Sequence, residues 1–224
     1  MRWHPSATRC FRCGARCLPE RLERGVIPAS RAWVALTALL GALALLAWQV
    51  ERSAIDWQPA LAWAQPWRAF SAVAVHYSAL HLAANLAGAV LVAALGLVAK
   101  VPARCVWAWG VAWPLTQLGL LIQPALLHYG GLSGVLHAGV AVAAVHLLVR
   151  GATSQRRIGG AILVGLSIKV LSETPWGAPL RHPEGWDIAV APLAHASGLL
   201  AGVICAGVGE AWHEWATSTN TRHA

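Results

Sequence analysis

Ser133 lies among glycines in "YGGLSGVLHAGVA", residues 129–141, where an apolar run begins, and His137 follows one helical turn deeper. A serine hydroxyl attacks a carbonyl only when a positioned base takes its proton, and histidine suits that task near neutral pH. A second histidine, His195, stands in "AHASGLLAG", with Gly198 and Gly202 at i+3 and i+7. Those glycines form a small-residue stripe on which another membrane helix can close in, and a Ser–His hydrogen bond between helices requires that approach. Ser133 also opens its helix, where free N–H groups and the positive dipole end favour a developing oxyanion. In "HYSALHLAANLAG", His81 and Asn85 are four residues apart and share a helix face, so both can aim donors at one point. Interhelical hydrogen-bonding without chemistry is the alternative for that pair. No acid is placed to orient His195. Asp187 lies eight residues earlier, or about 12 Å along a helix, so a Ser–His dyad is expected.

These side chains need a scaffold, and the composition says what kind. Of 224 residues, 57% are hydrophobic and only 12% charged, about half the charge fraction of a soluble domain. Six runs approach the ~20 apolar residues that cross a bilayer. They cover 32–50, 80–98, 104–122, 133–149, 158–173 and 189–208. The expected fold class is an all-α polytopic membrane protein, with a basic tail over 1–30, a membrane domain over 31–209 and a second tail over 210–224. No cleavable signal pattern follows the arginine-rich start, so the first run is expected to stay as an anchor. The net charge of +8 does not point to nucleic acid, because the basic residues cluster at the N-terminus and between the apolar runs. Seven arginines up to Arg31, with Lys100, Arg104, Arg150, Arg156, Arg157 and Arg222, fall on one side; Arg52, Arg68, Lys169 and Arg181 fall on the other. The first side is expected to be cytoplasmic, with both termini.

The connections carry further expectations. Segment 51–79 is proline-broken and holds Trp57, Trp63 and Trp67, rings that favour the outer headgroup region. Segment 175–188 is expected to cap the site from outside, as a mobile cover. Stretch 122–132 puts a proline and two glycines at membrane depth, where irregular backbone is tolerated only beside protein or a wet cavity. Lys169 and Glu173 read as a snorkelling pair at the interface, or less readily as substrate contacts. His76 reads as interfacial, and His146 as structural with no partner in view. Cys105 and Cys205 read as small apolar filler. "CFRCGARC" gives Cys10, Cys13 and Cys17, which with His4 could form a Cys₃His zinc site. Free thiols in a reducing compartment are the expected state. No HExxH occurs, so zinc proteolysis is not expected, nor is any cofactor.

The ordered motifs "WRAFSAVAVHYSALHLAANLAG", "GLSG" and "AHASGLLAG" resemble the rhomboid intramembrane serine proteases over roughly residues 55–209. The resemblance implies a six-transmembrane-helix rhomboid fold, with Ser133 as nucleophile and His195 as general base. It also implies an oxyanion hole of Asn85, His81 and the Ser133 backbone N–H. Gly131, Gly134, His137, Gly198 and Gly202 would support the site. Trp67-Arg68 looks like the start of the family's first outer loop. His137 stands where many rhomboids carry tyrosine. With the compact chain and the Lys169/Glu173 pair, it makes the sequence look most like the rhombosortases. That branch implies a bacterial inner-membrane enzyme facing the periplasm. Its partners would be exported proteins with a membrane-spanning C-terminal Gly-Gly tail, besides the lipid bilayer itself. A general rhomboid protease and a non-catalytic rhomboid-like helix binder are the alternatives. A small-solute transporter would show internal repeats and midplane charge, and neither is visible.

Overall fold

The computed structural model describes residues 29–185 and 187–220. The Cys10, Cys13 and Cys17 cluster and nearly all of the 1–30 tail lie outside them. Among the described residues eight α-helices are formed: α1 Ala29–Leu46, α2 Arg52–Ile55, α3 Arg68–Ser71, α4 Ala79–Val98, α5 Ala103–Leu118, α6 Ser133–Arg150, α7 Thr153–Ser172 and α8 Pro192–Asn220. Five stretches of the described residues are long and apolar enough to span a bilayer: Ala29–Gln49, Ala79–Val98, Ala103–Ile122, Ser133–Arg150 and Pro192–Thr219. The chain is therefore an all-helical protein of multi-pass membrane character. The fifth expected span, 158–173, is helical as α7 but falls short of the others. Arg156, Arg157 and Lys169 leave uncharged only Ile158–Ile168, about 15 Å of helix. Over the expected tail at 210–224, α8 runs without a break to Asn220 and buries Glu210 on the way.

Helix α6 is the centre. It is the most buried of the five apolar stretches and packs against α4, α5, α7 and α8. Its alanines and glycines allow this, since lipid offers helices no hydrophobic drive and close backbone contact must supply the attraction. A Cβ on Gly198 of α8 would overlap the carbonyl of Gly134, and one on Gly202 would come within 2.5 Å of the Ala138 carbonyl. Gly134 in turn sits against the Ala194 carbonyl, 2.8 Å from where its own Cβ would be. On the other flank two tryptophans lock α1, α4, α5 and α6. Trp33 donates to the Val92 carbonyl at 2.9 Å and Trp109 to the Val135 carbonyl at 2.8 Å, their rings 4.5 Å apart.

A buried ion cluster closes the far end of α6. Glu210 of α8 is 4% exposed, accepts from Arg150 Nε at 2.8 Å and His146 Nδ1 at 3.0 Å, and forms an ion pair with Arg104, whose Nε lies 3.0 Å from the carboxylate. His146 thus has a partner, contrary to the sequence expectation. Cys105 lies close by and is buried.

Segment 51–78 is folded rather than laid flat at an interface. Trp57 is fully buried and pairs through both backbone groups with Tyr129, at 2.7 and 2.9 Å. Only Trp63 and Trp67 keep the exposure expected of interfacial rings. Arg68 is buried and donates to the Asp56 carboxylate at 3.2 Å and the Asp56 carbonyl at 2.8 Å. The second Asp56 oxygen accepts from His128 Nδ1 at 2.7 Å. This ion pair and the Trp57–Tyr129 bridge tether the irregular stretch that leads into α6.

Candidate active site

Ser133 is the first residue of α6, so its N–H has no intrahelical partner of its own. The turn before it is fixed by the Gly131 N–H, which donates to the Ala72 carbonyl at 2.9 Å. Gly131 has φ +138°, a conformation that side-chain-bearing residues rarely adopt. A Cβ there would come within 2.9 Å of His81 Nε2. Glycine at this position lets the chain pass directly beside the His81 ring.

Across the α6–α8 contact the Ser133 hydroxyl donates to His195 Nε2 at 3.0 Å. His195 is 6% exposed, and its other nitrogen, Nδ1, lies 2.6 Å from Glu173 Oε2 at the end of α7. The expected dyad therefore has a third member. Asp187, weighed from the sequence, instead accepts from Ser78 Oγ at 2.8 Å and ties segment 175–191 to the start of α4. Nor do Lys169 and Glu173 simply reach for the interface. Lys169 Nζ lies 2.9 Å from Glu173 Oε1, 3.0 Å from His195 Nδ1 and 2.9 Å from His137 Nε2. His137 stacks on the His195 ring, centroids 4.3 Å apart, and donates from Nδ1 to the Ser133 carbonyl at 2.7 Å.

His81 and Asn85 are both buried on α4. Ser78 caps this helix by accepting the His81 N–H at 3.1 Å, which sets the first turn and so the direction of His81. His76 is not interfacial. It is 3% exposed, and its Nε2 accepts from the Asn85 amide nitrogen at 3.0 Å. Its Nδ1 donates to the Ala74 carbonyl at 3.3 Å. Burial pushes the His76 pKa below its ordinary value, which keeps Nε2 bare to receive the Asn85 amide. One hydrogen of that amide is thereby held and the other is left to donate. Tyr129, buried beneath the turn, faces the Ser133 hydroxyl and the Gly134 N–H. Burial pushes its phenol up to about 12, so it stays neutral and can donate.

Ser133, His195, His81, Asn85, Glu173 and Lys169 all line one cavity of about 1430 Å³. Away from the polar cluster its walls are apolar: Leu91 and Val92 of α4, Leu136 and Val140 of α6, Leu166 of α7. Segment 175–191 lines another side. It folds back on itself through Arg181 and Val190, whose backbones exchange hydrogen bonds of 2.8 and 2.7 Å. Arg181 also donates to the Glu173 carbonyl at 2.9 Å, and Gln123 to the Gly177 carbonyl at 3.3 Å. The expected cover is thus present and anchored at several points.

All four residues expected to act in the chemistry line this space, with the expected glycines at the helix contacts that assemble it. Three residues were not given these partnerships from the sequence: Glu173 and Lys169, read as an interface pair or less readily as substrate contacts, and His76. Lys169 and Glu173 did carry a signal, a charged i,i+4 pair in a run too apolar to need one. His76 sits nine residues from Asn85, a spacing that no helix rule pairs. Chemically, the arrangement offers an activated hydroxyl, a base with an oriented tautomer and donors beside them. No protein-family model matches the chain and no curated protein does, so the functional reading rests on motifs and geometry.

Proposed function

We propose that the chain is an intramembrane serine endopeptidase of the rhomboid type. The observation that carries this reading is the 3.0 Å contact from Ser133 Oγ to His195 Nε2, with Glu173 at His195 Nδ1, on the wall of a cavity flanked by apolar helices. Ser133 Oγ attacks the scissile carbonyl while His195 Nε2 takes the hydroxyl proton. The resulting oxyanion is met by the Ser133 N–H and by Asn85 and His81. Glu173 holds His195 in the tautomer with the proton on Nδ1 and stabilises the imidazolium that forms. His195 then passes its proton to the leaving amine, and water repeats the sequence on the acyl-enzyme. The apolar walls from α4, α6 and α7 suit a segment drawn from the bilayer.

In the finer reading the enzyme is a rhombosortase of the bacterial inner membrane. Its site faces the periplasm and both termini are cytoplasmic. The substrates are exported proteins whose C-terminal tail carries Gly-Gly before a hydrophobic stretch and a basic end. The motif resemblance supports that substrate class, and small residues at the scissile bond would let the segment leave its helix. The test is co-expression with a reporter ending in such a tail. Release of the tail by the wild type but not by Ser133→Ala is expected, and replacing Gly-Gly by Leu-Leu should abolish it. Release that ignores the Gly-Gly pair would indicate a general rhomboid protease, whereas no release from any single-spanning reporter would contradict the endopeptidase reading.

A further inference from the structure

Two groups, Glu173 and Lys169, converge on one nitrogen of His195, and the way hydrogens are shared there assigns a task to Lys169. The Ser133 carbonyl can only accept, so the 2.7 Å contact with His137 requires the hydrogen on His137 Nδ1. His137 Nε2 is therefore a bare lone pair, and it faces Lys169 Nζ at 2.9 Å. The same ammonium lies 2.9 Å from Glu173 Oε1. His195 Nδ1 stands between two suitors: Glu173 Oε2 at 2.6 Å, which accepts, and Lys169 Nζ at 3.0 Å, which donates.

The two outcomes differ in chemistry. If His195 Nδ1 carries a hydrogen and gives it to Glu173, Nε2 is bare and receives the Ser133 proton. If Nδ1 is bare and accepts from Lys169, the hydrogen moves to Nε2, and Ser133 faces a donor that cannot take its proton. An ammonium has three hydrogens and no acceptor, so what matters is where they are engaged. His137 Nε2 and Glu173 Oε1 each take one. With two hydrogens turned to these acceptors, Lys169 Nζ stays 3.0 Å from the contested nitrogen, farther than Glu173 Oε2 at 2.6 Å, so the carboxylate oxygen takes the His195 Nδ1 hydrogen.

We propose that Lys169 is a positioning residue for the reaction: bound to His137 and Glu173, it fixes the carboxylate so that His195 keeps its hydrogen on Nδ1 and its base nitrogen toward Ser133. This rests on the serine-protease reading above. Lys169 touches no reacting atom. It acts through Glu173, with His137 as the second anchor. The His137 ring accordingly has two roles, as a stacked neighbour of His195 and as the acceptor that occupies a lysine hydrogen.

The test is the rate of Ser133 phosphonylation by a fluorescent alkyl fluorophosphonate, measured on the full chain in lipid nanodiscs. The series is wild type, Ser133→Ala, Lys169→Met, Glu173→Gln, Lys169→Met/Glu173→Gln and His137→Phe. Wild-type labelling that Ser133→Ala abolishes supports the serine-protease reading. Lys169→Met is then expected to slow labelling by about 10–100-fold. The loss should appear in the maximal rate constant, with the half-saturating probe concentration unchanged, as a residue acting through Glu173 rather than on the probe demands. Added to Glu173→Gln, the same change is expected to cost less than about 3-fold, since two residues acting as one unit do not add. His137→Phe keeps a stacked ring and the lysine charge but removes the acceptor, and about 10-fold slowing is expected. Equal labelling of Lys169→Met and wild type would overturn the inference alone. So would full multiplication of the two losses in the double variant. No labelling of the wild type at all would overturn the serine-protease reading, and this inference with it.

Discussion

Helices α6 and α8 carry a glutamate-centred polar cluster near each end of their contact, and the two clusters are built in opposite ways. Around Glu210 the carboxylate is surrounded by cationic partners. Two arginines and His146 share the carboxylate, and none of these residues lines the cavity at Ser133. Around Ser133 the matching is deliberately incomplete. Glu173, Lys169 and His137 satisfy one another, but the Ser133 hydroxyl and the Asn85 amide still face open space. Polar side chains among membrane helices are costly unless partnered. At Glu210 the carboxylate is shared among Arg104, Arg150 and His146, and the result is a clamp across α5, α6 and α8. At Ser133 the partners hold a hydroxyl and an imidazole in register while leaving room for a third molecule.

That contrast makes graded predictions. His195→Ala should cut serine labelling or substrate cleavage by about 10⁴–10⁶, because nucleophile and base act as one unit. Glu173→Gln should cost about 10²–10⁴, since an amide in its place no longer enforces the Nδ1–H tautomer, while leaving thermal unfolding nearly unchanged. Gly198→Val would force α8 away from the Gly134 carbonyl. A displacement near 1 Å at the Ser133–His195 contact should slow labelling by about 10²-fold, and overpacking should cost about 1–3 kcal/mol of stability in a denaturant titration. Glu210→Gln should change labelling by less than about 3-fold yet lower stability by on the order of 3 kcal/mol, because Arg104 and Arg150 lose their common anion. If Glu210→Gln proved as damaging to labelling as Glu173→Gln, the division between clamp and reaction site would be wrong.

The sequence showed the scaffold where the physics is one-dimensional. Apolar length alone marked five of the spans, and the Gly198/Gly202 stripe marked the face of α8 that meets α6. Ser133, His195, His81 and Asn85 were legible because each sits at a helix start or in a polar interruption of an apolar run. Glu173 was missed as the acid because its partner is on another helix, twenty-two residues away, and a search confined to neighbours of His195 cannot reach it. Lys169 and Glu173 looked like interface residues for the same reason. Their i,i+4 spacing explains each by the other and hides the third group between them. Trp57 misled because an indole ring is at home both in the headgroup region and in a core. Only its backbone pairing with Tyr129, again a long-range event, distinguishes the two. The weak apolarity of α7 was legible in Arg156, Arg157 and Lys169, but those residues had been read for topology instead.

The most direct measurement is to identify the modified residue after treating the membrane-embedded protein with a fluorophosphonate, by digestion and mass spectrometry. The account predicts a single phosphonyl adduct on Ser133, formed in the wild type and slowed by at least about 10⁴-fold in His195→Ala. Stoichiometric modification at another side chain, or labelling of Ser133 that is indifferent to His195, would contradict it.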